Sequence, residues 1–303
     1  MPIFNVKDDP VTDDPLVNRT VTVRQWVEGD IEFVVQSTSR EKWGNTRGDV
    51  ERCFHWEPVG CFVAEEESER VGHISTIAYG KLGWIGLLIV NPEQRGRGIG
   101  TALLQKGIDY LRRFGVETIK LEAEERAVPL YRRFGFMEEF ATLRYAGQTR
   151  VAEREPLAPE ISHVQPSDLR SLADFDSNYF GSNRDRVLKA LFEGNPRGCF
   201  IARRNGLIGY IMCRRTQNGY WMGPWVCEDP VMSEELLNAS LISIDDPSME
   251  VRFGFPSPND HMSRLMRKSN FRFRERITRM FLGEEAHSGK PQYVYGIGGP
   301  EKG

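Results

Sequence analysis

Cysteine is scarce in this chain, and its few copies form no pattern. The 5 cysteines among 303 residues, Cys53, Cys61, Cys199, Cys213 and Cys227, are widely spaced, with no C-x-x-C pair and no histidine cluster beside them. A disulfide framework and a metal site are therefore not expected, and a reducing cytoplasm is the simplest compartment. Long hydrophobic runs are missing too: nothing approaches the roughly 18 apolar residues of a membrane span. The first twenty positions carry Asp8, Asp9, Asp13 and Asp14 and no apolar core segment, so neither secretion nor membrane insertion is expected. Charge of one sign is absent, since 40 Lys and Arg face 43 Asp and Glu for a net of −3. That balance gives no general pull toward nucleic acid or anionic membrane and points to small or neutral partners. Oligomeric state stays open between monomer and homodimer.

What is present exceeds the common domain size of about 100–150 residues, so two modest domains are expected. The organising stretch runs from Trp84 to Tyr110. Trp84 to Val90 is nearly continuous in apolar residues, as a strand buried on both faces requires. Asn91-Pro92-Glu93 stops it, and Gly96, Gly98 and Gly100 then fall at alternate positions. Ile99, Leu103, Tyr110, Leu111 and Phe114 follow at mostly helical spacing up to Gly115, a C′ stop. Glycines at a helix start let several N–H groups converge on one anion, and the helix dipole adds positive charge there. Arg95 and Arg97 flank the turn as phosphate donors. A P-loop would need a Lys after the last glycine, and the dinucleotide fingerprint would need G-x-G-x-x-G; neither spacing is met.

The pattern Arg95-x-x-Gly98-x-Gly100 after an apolar strand, followed some thirty residues on by Leu130-Tyr131-Arg132-Arg133-Phe134-Gly135-Phe136, resembles the GNAT N-acetyltransferase superfamily. The resemblance implies an α/β fold with a mixed sheet and acetyl-CoA as co-substrate, without a metal. It also implies cofactor contacts by the backbone of Leu88, Ile89 and Val90 and by Arg95, Gly96, Arg97, Gly98, Ile99, Gly100 and Thr101. Tyr131 stands where the family places a tyrosine and is the general acid of choice for the departing thiolate. Where many relatives carry an Asn, this chain has Glu124.

Read in order, residues 1–19 form an extended lead-in. A strand spans Thr20–Arg24, helices cover Glu28–Ser39 and Asp49–Trp56 around a break at Trp43-Gly44-Asn45, and a hairpin joins Gly60–Ala64 to Val71–Ile77. The strand Thr118–Glu122 alternates apolar and polar, and Phe136–Tyr145 is expected to close the sheet. After a polar linker at 147–160 the pattern repeats. Gly198–Ala202 matches Gly60–Ala64 at an offset of 138, Ile208–Ile211 matches Val71–Ile74 at 137, and Leu265–Phe271 matches Leu130–Phe136 at 135. Such offsets argue for a duplication. Two tandem GNAT-like domains are therefore expected, catalytic at 20–146 and degenerate at 161–303. Aligning Trp84 with Trp221 puts Ser233, Glu235 and Leu237 in place of the glycines, with Met266 for Tyr131 and Asn270 for Gly135. One acetyl-CoA site per chain follows.

The base is left among Glu122, Glu124, Asp49 and His73. Trp43 and Asn45 either line the acceptor site or anchor packing. Asp176 and Phe180, with Arg184, either close over the acceptor or serve as a helix cap and core contact. The function expected is acetyl transfer by direct attack of a small primary amine, an amino acid, amino sugar or polyamine, with the second half completing the pocket. An acetyl-CoA-sensing module and a protein N-acetyltransferase are the alternatives.

Overall fold

The computed structural model describes residues 21–148, 157–246 and 248–303. The lead-in at 1–19 and residues 149–156 of the expected linker lie outside them; Gly147 and Gln148 belong to a strand. The first half runs β1 (Val21–Gln25), α1 (Ile31–Arg40), α2 (Arg47–Trp56), β2 (Phe62–Glu66), β3 (Glu69–Tyr79), β4 (Leu82–Val90), α3 (Ile99–Arg113), β5 (Thr118–Ala123), α4 (Val128–Arg133) and β6 (Met137–Gln148). The second half runs β7 (Ile161–His163), α5 (Leu169–Phe180), α6 (Asp185–Gly194), β8 (Cys199–Arg203), β9 (Leu207–Thr216), β10 (Gly219–Cys227), α7 (Pro230–Ile242), β11 (Glu250–Pro256), α8 (Asp260–Lys268), β12 (Arg272–Gly283) and β13 (Val294–Gly296). Up to β13 the two halves follow the same order of strands and helices, as the repeat offsets predict.

Local signals account for the elements that frame the site. Thr46 and Asp49 form a reciprocal capping box at the start of α2, which satisfies two orphan N–H groups. Helix α3 buries Ile99, Leu103, Leu104, Ile108 and Leu111, one apolar stripe at helical spacing, and the chain turns away at Gly115 with φ of +75°. Strand β4 is buried along most of its length.

The halves are not separate sheets. One sheet orders the strands β1-β2-β3-β4-β5-β12-β6-β11-β10-β9-β8-β7, with β13 beside β10. Each half has given the strand after its fourth helix to the other: β12 pairs with β5, and β6 pairs with β11 and β12. The expectation that Phe136–Tyr145 closes the first half's own sheet is therefore corrected. Main-chain hydrogen bonding does not discriminate between two antiparallel strands of similar pattern, so tertiary packing selects the partner. The polar residues of β5 are covered as a result. Lys120 is 3% exposed and pairs with Glu139 at 2.8 Å.

Three apolar cores hold the layers together. One lies under α3, one under α7 and α8, and a third on the opposite sheet face is shared by residues of α1, α2, α5 and α6. Val34, Val50, Leu172 and Leu188 all belong to the shared core and are fully buried. At about 1.5–3 kcal/mol for each large side chain buried, this core contributes several kcal/mol to holding the two halves together.

Candidate active site

Strand β4 pairs with β5 only from Leu82 to Ile85. Beyond Ile85 the two strands part, and among the described residues the backbone of Gly86 to Val90 has no strand partner on that side. A register shift in the pairing with β3 and a φ of +50° at Leu87 mark the bend. The opening leads to the start of α3, where Gly96 and Gly98 have φ of +80° and +82°. Gly98 is the N-cap, and no side chain caps the helix. The N–H groups of Ile99, Gly100 and Thr101 therefore keep their donor capacity, which suits a phosphate. A Cβ at Gly96 or Gly98 would meet nothing within 4 Å. Glycine is needed here for its backbone conformation, and the space beside the turn stays open.

A cavity of about 1040 Å³ joins these features, and nine of the ten residues assigned to the cofactor from sequence line it. Arg97 does not: its guanidinium pairs with Glu66 at 2.5 Å, away from the cavity. Arg95 lines the cavity, hydrogen-bonded to the Val90 carbonyl at 3.0 Å and paired with Glu41. Glu41 also holds Arg126 at 2.6 Å. Arg126 in turn pairs at 2.8 Å with Glu124, which accepts the Trp43 indole N–H at 3.0 Å. This chain of contacts ties the break between α1 and α2 to the glycine turn.

Tyr131 lies on α4, buried and facing the same cavity. Among the described residues no hydrogen-bond partner claims its hydroxyl. Burial, then the charge of Glu124, push the phenol above its ordinary range, so it stays protonated and able to donate. Glu122 is a fully buried carboxylate on the cavity wall. Its Oε1 accepts from Arg279 at 2.6 Å and Thr142 at 3.0 Å, while Oε2 has no partner among the described residues. A buried carboxylate oxygen with spare acceptor capacity fits a site completed by a substrate ammonium or a water. Trp43 and Asn45 also line the cavity.

Four residues named from sequence take other roles. Asp49 is locked by Arg214 at 3.0 Å and Arg52 at 2.7 Å; burial opposes its charge, yet Arg214, Lys302 and Arg52 hold its carboxyl well below the usual range. His73 is fully buried between Trp26 and Phe33, and burial pushes it down to about 3. Asp176 and Phe180 do not line the cavity. Asp176 accepts both guanidinium bonds of Arg184, at 2.7 and 2.9 Å, and Arg184 donates to the Gly303 carbonyl at 2.6 Å. Phe180 packs on Trp84 and Tyr79. Both residues thus act at one remove, by holding the segment 298–303.

That segment enters the first half. The Trp84 indole donates to the Pro300 carbonyl at 2.8 Å and the Tyr79 hydroxyl to the Lys302 carbonyl at 3.0 Å. Glu301 lies so close to the β4 bend that a Cβ on Gly86 would come within 2.6 Å of its Cα. Its buried carboxylate lines the cavity beside Arg214; burial resists its charge, but Lys302 and Arg214 keep it ionised. Nothing local to residues 298–303 foretells this use, because only a buried charge at a distant bend reveals it.

The second copy of the site is closed by the chain itself. Helix α7 starts at Pro230, and its N-cap Asp229 accepts from the N–H groups of Val231 and Met232 at 2.8 and 3.1 Å. Ser233, Glu235 and Leu237 are thus helical and replace no turn. Strands β10 and β11 part as β4 and β5 do, but β13 fills the gap, pairing Trp225 with Gly296 and Val226 with Val294.

A family profile described as Acetyltransferase (GNAT) family matches residues 30–136, and one described as Acetyltransferase (GNAT) domain matches 172–296. Holothin acyltransferase of a Pseudoalteromonas species is 26% identical over 70% of this chain and 74% of its own. A mycothiol acetyltransferase of Acidimicrobium ferrooxidans is 35% identical over about a third of each chain, 31% and 33%. A Pyrococcus horikoshii structure assigned as an acetyltransferase superposes with a TM-score of 0.79 at 26% identity, over 97% of this chain and 99% of its own. A tandem GNAT protein from the clavulanic acid pathway shares the fold, with a TM-score of 0.59 at 14% identity over 87% and 98%. With both halves matched and the site geometry in agreement, the chain belongs to the GNAT acetyltransferases, as an acyltransferase with two GNAT domains in tandem.

Proposed function

We propose that this protein is an acetyl-CoA-dependent N-acetyltransferase in which a small primary amine, an amino acid, amino sugar or polyamine, attacks the thioester directly. The observation that carries this reading is the convergence on one cavity of an uncapped glycine helix start, an unpaired strand edge, Tyr131 and Glu122. In this reading the N–H groups of residues 99–101 and Arg95 hold the pyrophosphate, and the backbone of Leu88 to Val90 pairs with the amides of the pantetheine arm. The amine nitrogen bonds to the acyl carbon as the carbon–sulfur bond breaks. An ammonium acceptor gives up two protons in all, one ending on the sulfur and one in solvent. Tyr131 donates to the sulfur, and Glu122 takes the acceptor's proton, directly or through a water. The acyltransferase relatives are named after different compounds, so the acceptor class rests on the cavity alone.

The test is CoA release by the full chain with acetyl-CoA and a panel of amines, repeated with Tyr131→Phe. Release with at least one amine is expected, and a loss of roughly 10²-fold or more in the variant. Acetyl-CoA binding without release on any amine would favour a sensing module, and an unchanged Tyr131→Phe rate would remove Tyr131 as the acid.

A further inference from the structure

Past the β4 bend the cavity continues over the strands where the exchange takes place. Register decides which side chains share that face. Glu122 of β5 stands across from Arg279 of β12, Ile277 across from Thr142 of β6, and Arg144 across from Glu275; on the other side of β6, Ala146 faces Arg252 of β11. Cross-strand partners lie on one side of a sheet, so Glu122, Thr142, Arg144 and Arg252 form a diagonal over one surface.

The charges on this surface do not balance. Beyond Glu122, the cavity is lined by Arg144, Arg214, Arg252 and Arg274 against Glu250, Glu275 and Glu301. Arg144 pairs with Glu275 at 2.7 Å, and Arg214 lies 3.6 Å from Glu301. Glu250 has to serve two arginines, accepting from Arg274 at 2.7 Å on one oxygen and from Arg252 on the other. Behind the wall, Arg52, Arg279 and Lys302 more than offset Asp49 and Glu122. One cationic equivalent remains at the Arg252–Glu250–Arg274 group, and the Nε of the neighbouring Arg144 is buried without a partner among the described residues. A polycation would meet like charge here, whereas a carboxylate would meet planar donors suited to bidentate pairing.

Spacing sets the separation. Arg144 is two residues along β6 from Thr142, the residue that touches Glu122, and the Ala146–Arg252 row is four residues along, which is about 7 and 14 Å at strand rise. Resting on the acetyltransferase reading above, we infer that the acceptor carries a carboxylate about 7–14 Å from its reacting amine, received by Arg144, Arg252 and Arg274. The acceptor is then an ω-amino acid or a short peptide, and not a polyamine.

The test compares amines that differ only in the carboxylate: 6-aminohexanoate with hexylamine, lysine with cadaverine, and triglycine with its C-terminal amide, with spermidine as the cationic control. In CoA release by the full chain, kcat/KM is expected to favour the carboxylated member of a pair by about 10-fold or more. Arg252→Gln is expected to cut that ratio to within about threefold through the acceptor KM; Arg274→Gln, at a more exposed position, is the second variant should the first fail to fold. Equal use of both members, or a preference for spermidine, overturns the inference. So does a variant that raises KM for acetyl-CoA in place of the acceptor, since the arginines would then serve the cofactor. No release from any amine would instead remove the acetyltransferase reading, and the inference with it.

Discussion

Tyr131 faces the cavity with its hydroxyl unclaimed among the described residues and its phenol kept protonated by burial and then by Glu124. His73, a few strands away, is kept neutral by burial alone. The sign of its effect on stability follows from linkage. The unfolded imidazole titrates near ~6.5 and the folded one at about 3, so between those values the unfolded chain binds the extra proton. His73 thus leaves stability intact above about pH 6.5, and stability falls by at most ~1.4 kcal/mol per pH unit as pH drops toward 3. His73→Leu is expected to flatten the pH 7-to-5 difference measured by urea unfolding; an unaltered difference would mean that other groups set it. Both residues were visible in the sequence as proton carriers, but only the fold places Tyr131 on the cavity wall and His73 in the core.

At the level of the element, the starts of α3 and α7 are two solutions to the same problem of unpaired helix N–H groups. Gly98 leaves them open and Asp229 satisfies them. Gly98→Asp would put a carboxylate where the proposed phosphate sits; a Cβ there meets open space, while the φ of +82° strains any L side chain, so the protein is expected to lose about 1 kcal/mol of stability yet stay folded while acetyl-CoA binding disappears from calorimetry. Undiminished binding would sink the loop assignment. Asp229→Ala is expected to cost about 1 kcal/mol in thermal unfolding and to create no second acetyl-CoA site, since β13 still fills the gap between β10 and β11. The glycine turn was legible from spacing alone because few other sequences can make that backbone. The plug was not, since β13 is three residues long and carries no pattern of its own.

On the scale of the whole molecule, the exchange of β6 and β12 makes the halves interdependent. A fragment holding residues 21–148 lacks β12, the strand that lies between β5 and β6, leaving the edge of β5 bare. Alone it is expected to aggregate or stay unfolded, whereas co-expression with residues 157–303 should restore a folded complex that elutes as one species; a well-folded first fragment on its own would contradict this. Gly86→Ala pushes a Cβ to 2.6 Å from the Glu301 backbone. Displacing segment 298–303 is expected to destabilise the protein by about 1–3 kcal/mol and to raise the acceptor KM, with acetyl-CoA binding by calorimetry little changed. The sequence by itself determined the duplicated α/β scaffold, the single glycine cradle and the tyrosine that follows it, because these rest on periodicity, on backbone freedom and on motifs local to a few residues. Tertiary structure alone decided which strands pair across the halves, that Glu301 reaches the β4 bend, that Asp176 and Phe180 brace that segment from behind, and that Asp49 is locked in ion pairs and His73 buried, both off the cavity wall. Each of those outcomes depends on long-range packing and burial, which bring together charges and backbone edges that lie far apart along the chain.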